Sequence, residues 1–116
     1  MPKARAGRVA AQTHSGTDAQ RFLDAYVREA SKLSVVWEIR SETTGDGLCI
    51  WTLIDAEPMA FEPRKSVYNA ELVASDAAPE ALVDFRLVNR REYSDDQLEW
   101  AFPDIGRLVW RRAMPS

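Results

Sequence analysis

Leu48-Cys49-Ile50-Trp51-Thr52-Leu53-Ile54-Asp55 is the longest apolar run in the chain, and both of its alternation faces are apolar. Leu48, Ile50, Thr52 and Ile54 point one way; Cys49, Trp51 and Leu53 point the other. A strand with one wet face would alternate apolar with polar residues. Residues 48–55 are therefore expected to form an inner strand with neighbours on both sides. Bounded by Gly45-Asp46-Gly47 and Glu57-Pro58, the run is short enough to suit a strand better than a helix.

Upstream, Phe22, Leu23, Tyr26, Val27, Ala30 and Leu33 recur at spacings of three and four, opposite Asp24, Arg28 and Lys32. That is one apolar stripe on a helix. Thr17-Asp18-Ala19-Gln20 reads as a capping box ahead of it, so the helix is expected over about 18–32. Val35-Val36-Trp37-Glu38-Ile39-Arg40 then alternates, with Val35, Trp37 and Ile39 toward the core and Glu38 and Arg40 toward solvent. Residues 41–47 are polar and contain glycine, which predicts an antiparallel hairpin into 48–55.

Residues 64–76 permit two readings. A strand would put Tyr68, Ala70, Leu72 and Ala74 on one face; a helix would make a broader stripe of Val67, Ala70, Leu72, Val73 and Ala74. Ala, Glu and Leu, with Pro63 just before the first turn, favour the helix. A crossover between two strands also needs one. Leu82-Val83-Asp84-Phe85-Arg86-Leu87-Val88 alternates again, Val83, Phe85 and Leu87 inward and Asp84 and Arg86 outward. Ser94-Asp95-Asp96-Gln97 is a second capping box, opening a short helix through Trp100. Pro103 and Gly106 close that segment, and Arg107-Leu108-Val109-Trp110-Arg111 forms a last strand. The order α-β-β-α-β-α-β predicts an α+β two-layer sandwich: a four-stranded mixed sheet with helices mainly on one face. Phe22, Tyr26, Ile39, Ile50, Phe85 and Leu87 are its expected core.

A chain of 116 residues has room for one domain, taken here as 17–116. Residues 1–16 hold Lys3, Arg5 and Arg8, no carboxylate and no apolar period, and are expected to be a disordered basic leader. The net charge of −3 thus hides +3 on the leader and −6 on the rest. An acidic body argues against a nucleic-acid surface anywhere but the leader. No apolar run approaches the roughly 20 residues of a membrane-spanning helix, and the N-terminus lacks the apolar stretch of a secretory signal. No membrane contact is expected. Cys49 is the lone cysteine; an intramolecular disulfide is impossible, and a mid-strand thiol reads as buried and inert. A reducing, cytoplasmic setting fits that usage.

Candidate chemistry is sparse. His14, the single histidine, lies in the leader, so with one cysteine there is no zinc set and no Cys–His nucleophilic pair. Neither glycine-rich phosphate motif occurs. No cofactor, metal ligand or catalytic residue is assigned. Asp55 and Asp84 both sit on strands, where paired carboxylates act in some enzymes, but solvent-facing strand carboxylates are ordinarily just solvated.

Two features point further. The strand at 82–88, the short helix, and then Gly106-Arg107-Leu108-Val109-Trp110 resemble the tail of minimal nucleotidyltransferase domains. Those end in a Val-Asp-bearing strand, a short helix, and a glycine followed by a short apolar strand. The resemblance implies a related, degenerate fold and a small enzyme or nucleotide binder. That family's metal-binding signature is a Gly-Ser turn followed by Asp-x-Asp on the next strand. Here the region reads Ser41-Glu42-Thr43-Thr44-Gly45-Asp46-Gly47 and then Leu48-Cys49-Ile50-Trp51, so the transfer chemistry does not carry over.

The second feature is the set of outward strand positions. Glu38, Arg40, Asp55, Asp84, Arg86 and Arg111 surround Trp51, an aromatic centre with a rim of both charges. Aromatic and arginine residues within a polar rim describe a protein-contact patch. The plainer reading is a solvated face with ion pairs contributing about 0–1 kcal/mol each. Covering Trp51 and Leu53 by a protein partner, or by a second copy in two-fold pairing, makes a non-enzymatic interaction module the expected function.

Overall fold

A computed structural model of the chain describes residues 10–45, 47–102 and 106–113. In chain order the elements are α1 (Ala10–Ala30), β1 (Val36–Thr44), β2 (Gly47–Ile54), α2 (Phe61–Ala77), β3 (Val83–Asn89), a 3-10 turn (Arg90–Glu92), α3 (Asp95–Ala101) and β4 (Arg107–Arg111). The α+β order expected from the pattern is the one observed. The sheet runs β3-β2-β1-β4; β1 pairs antiparallel with β2 and β4, while β2 and β3 are parallel. β2 is thus an inner strand. The ambiguous segment is helical, and α2 supplies the crossover that a parallel β2–β3 pair requires. Pro63 is the third residue of α2, where its missing N–H costs no intrahelical bond.

Helix α1 starts earlier than the pattern indicated. It begins at Ala10, so Thr17 lies inside the helix and does not cap it. Residues 10–17 carry no apolar period to reveal them, but extending a formed helix is far cheaper than starting one. The rest of the expected leader, residues 1–9, lies outside the described residues. At the other end Ser31 N–H donates to Val27 at 2.9 Å and Leu33 N–H to Ala30 at 3.0 Å. Arg112, beyond β4, then donates to the carbonyls of Leu33 (2.7 Å), Val36 (2.9 Å) and Ser31 (3.3 Å). Its guanidinium lies 5.1 Å from the Trp110 ring centre, so one cation ties the turn after α1 and the start of β1 to the end of β4.

A second departure sits in β1. Val36 pairs with Ile54 but Glu38 with Leu53, which makes Trp37 an extra residue in the ladder. Such a bulge inverts the alternation on one side of it. Val36 consequently takes the fully buried place, and Val35 and Trp37, expected inward, are only half-buried. Trp37 instead lies beneath Arg90, whose guanidinium carbon is 5.3 Å from its ring centre.

The core fills the space between the sheet and the α1–α2 layer. α1 contributes Phe22, Leu23 and Tyr26, α2 contributes Val67, Ala70 and Ala74, and the strands contribute Val36, Ile39, Leu48, Ile50 and Ile54. Phe85 and Leu87 pack against this cluster but stay half-buried, because β3 is an edge strand. The Phe85 ring centre lies 5.6 Å from that of Phe22 and 5.4 Å from that of Tyr26. Tyr26 and Thr52 exchange a hydroxyl hydrogen bond of 2.7 Å inside the core. Burial pushes the Tyr26 phenol well above its ordinary range; the Thr52 bond works against that rise and the Glu71 charge adds to it. Gly106 leads into β4 at φ +65°, and a Cβ there would lie 2.5 Å from the Ser41 carbonyl oxygen. Only glycine fits that approach.

Candidate functional site

Strand register decides which side chains share the face turned away from α1 and α2. Arg40 stands opposite Trp51, and Trp51 opposite Arg86, so a cation–aromatic–cation row crosses three strands. The Arg86 guanidinium carbon is 5.8 Å from the Trp51 ring centre, within cation–π reach. The adjoining rows read Glu42, Cys49, Asp84 and Glu38, Leu53, Val88. On β4, Arg111 pairs with Glu38 and Leu108 with Arg40.

The charges of this face are neutralised locally. One Glu38 oxygen accepts from Arg40 Nε at 2.6 Å and the other from Arg111 Nε at 2.9 Å. Arg40 is only 8% exposed, which is deep for a guanidinium and calls for such pairing. Asp84 Oδ2 accepts from Arg86 at 2.9 and 3.2 Å. That hydrogen bond, then the Asp84 charge, raises Arg86 above its ordinary range. Between them Cys49 is a buried free thiol. Burial, then the neighbouring Asp84 charge, pushes its pKa up, which favours the protonated, weakly nucleophilic form. The Trp51 indole Nε1 is buried with no hydrogen-bond partner among the described residues.

Helix α3 walls one end of this face. Ser94 and Gln97 form the expected capping box: Gln97 N–H donates to Ser94 Oγ at 3.2 Å and Ser94 N–H to Gln97 Oε1 at 2.9 Å. α3 and its C-cap bring Leu98 and Phe102, one helical turn apart, with Asp95 and Glu99 toward Glu38, Arg40 and Arg111. The cleft between them has a volume of about 430 Å³. Trp100, on the same short helix, is 89% exposed.

Of the outward residues singled out from the sequence, the structure gathers Glu38, Arg40 and Arg111 into one cluster and Trp51, Asp84 and Arg86 into its neighbour. Asp55 belongs elsewhere. It is ion-paired with Arg91 of the 3-10 turn, which also holds Glu57 at 2.9 Å. Beside it, Asn89 clasps Ala56 through both its amide nitrogen (2.9 Å) and oxygen (3.1 Å), and Glu92 pairs with Arg64 at 2.7 Å. Asp95, Leu98, Glu99 and Phe102 are the cleft residues that sequence reasoning missed. The spacing of four between Leu98 and Phe102 was the available signal, but it names a helix face and not the surface that face meets.

Among the described residues no three His, Cys, Asp or Glu side chains converge as metal ligands, and no helix is long and apolar enough to cross a membrane. No protein-family model, curated protein or solved structure matches the chain.

Proposed function

We propose that this chain is a non-enzymatic protein-interaction module that contacts its partner through the sheet face opposite α1 and α2, extended by α3. The observation that carries this reading is the Arg40–Trp51–Arg86 row beside a cleft walled by Leu98 and Phe102. Aromatic and arginine side chains in partly desolvated settings are the usual anchors of protein interfaces. Trp100 supports the reading as well, because an aromatic of that size is seldom left almost wholly in water without a use. Glu38, Asp55 and Asp84 are each held by arginine, and the thiol of Cys49 is disfavoured as a nucleophile, so recognition suits the face better than catalysis. A buried free thiol accords with a cytoplasmic setting.

The test is capture of proteins from native cells on the immobilised full chain, comparing wild type, Leu98→Ala and Tyr68→Ala. Tyr68 is exposed on α2, away from the proposed surface. A partner kept by Tyr68→Ala and weakened about tenfold or more by Leu98→Ala supports the reading, since an anchor within the cleft contributes about 2 kcal/mol or more. Loss on Tyr68→Ala alone moves the surface to α2 and overturns it. A melting-temperature rise with magnesium and nucleotide would replace it with the nucleotide-binding function that the resemblance of residues 82–110 implies.

A further inference from the structure

The sheet has two edges, and they are built differently. β4 is five residues long, begins on Arg107 and ends on Arg111, and carries Val109 as an extra residue against β1. Shortness, flanking charge and a bulge are devices that keep a second strand from docking. β3 is longer and has no bulge, and its two charges, Asp84 and Arg86, are of opposite sign. Its seven residues run in unbroken register with β2 and include no proline or glycine.

The direction of its free backbone groups follows from one bond. Leu48 N–H donates to the Leu82 carbonyl at 2.8 Å, so Leu82, Asp84 and Arg86 turn their N–H and C=O toward β2. By alternation Val83, Phe85 and Leu87 turn theirs outward. The side chains along this edge are self-complementary about Phe85. Turned about a two-fold axis there, an antiparallel second copy sets Phe85 against Phe85, Val83 against Leu87, and Leu82 against Val88. Asp84 falls opposite Arg86 of the second copy, and Arg86 opposite its Asp84.

Backbone and side chains select the same register. The residues with outward N–H and C=O meet one another, as the hydrogen-bonded pairs of an antiparallel ladder must. The charged residues fall at the non-hydrogen-bonded positions, where side chains approach closest. Sliding the second copy by two residues either way keeps the backbone bonds but sets Asp84 against Asp84 or Arg86 against Arg86. Like charges directly opposite are unfavourable, so one register stands out. Asp84 and Arg86 pair with each other within one copy, but their side chains are 62% and 57% exposed, so that pair can be exchanged for two pairs across the interface. Leu82, itself 65% exposed, gains apolar cover.

The geometry points to a homodimer in which two copies of this chain pair through β3, antiparallel about Phe85, into one continuous eight-stranded sheet. This goes beyond the interaction module above: Arg86 belongs to both surfaces, but the dimer is made by the sheet edge and leaves the cleft between β1, β4 and α3 open in each copy.

Sedimentation equilibrium of the full chain over a wide concentration range at low ionic strength tests it. Wild type is expected at twice the chain mass. Asp84→Arg and Arg86→Asp each set like charges opposite one another at two sites, and each should weaken association about tenfold. Mixed in equal amounts, the two variants should associate again, because the carboxylates of one then face the guanidiniums of the other. The double exchange Asp84→Arg/Arg86→Asp should likewise associate as wild type does, which keeps the test decisive if a single variant fails to fold. Wild type sedimenting as a monomer throughout overturns the proposal. So do single variants that associate as tightly as wild type, a mixture that stays monomeric, or a double exchange that does not pair.

Discussion

Against α1 and α2 the sheet presents Val36, Ile39, Ile50 and Ile54, each fully sealed from water. Its opposite face presents Glu38, Arg40, Asp84, Arg86 and Arg111 around a half-buried Trp51. The same backbone ladder holds both, and the energies differ in kind. Burying apolar surface contributes about 25 cal/mol per Å² with little demand on geometry. An exposed ion pair contributes about 0–1 kcal/mol and is screened by salt. The covered face therefore holds the fold together, and the open face can vary its charges at little cost in stability. The exception on that face is Arg40, which is buried and must keep its partners.

Four substitutions would break or sharpen this contrast. Ile50→Ala should cost about 2–5 kcal/mol in urea unfolding, since truncating a sealed aliphatic loses transfer energy and leaves a cavity. A cost below 1 kcal/mol would deny the covered face its role. Tyr26→Phe should cost about 1–3 kcal/mol, because the Thr52 hydroxyl, 2% exposed, loses its partner. Adding Thr52→Val should recover most of that loss, since no polar group is then left unmatched.

The same phenol gives a pH dependence. Its folded-state pKa is raised by burial, so the folded chain keeps a proton that the unfolded chain loses above about pH 10. Stability should be full below that pH and fall as pH rises past it, and Tyr26→Phe should flatten the fall. An unchanged slope in the variant would assign the loss to other groups. The smallest effect is expected on the open face. Arg111→Ala removes a side chain that is 55% exposed and should cost about 0–1 kcal/mol. A loss above 2 kcal/mol would make that face as necessary to the fold as the covered one.

What could be read from the chain is local and periodic. The apolar recurrence from Phe22 to Leu33 identified the helix, the double-sided greasiness of 48–55 identified an inner strand, and Ser94 with Gln97 marked the start of α3. Each depends on residues within a turn or two of one another, whose spacing repeats the geometry of the element. The start of α1 escaped because residues 10–17 carry no such repeat. Trp37 escaped for another reason: the Val35 to Arg40 pattern is the same with or without a bulge, and only pairing to Ile54 and Leu53 reveals one.

The amino-acid pattern alone determined the order of elements, the outward places of Glu38, Arg40, Asp84 and Arg86, and the charge symmetry of β3 about Phe85. Tertiary structure decided what those residues meet. It placed β3 and β4 at the edges, lined Arg40, Trp51 and Arg86 in one row, tied Asp55 to Arg91, and set Leu98 and Phe102 over Glu38 and Arg111. Periodicity reports only which way a side chain points from its own backbone. Which neighbour stands there is settled by strand order and helix docking, through contacts between residues far apart in the chain.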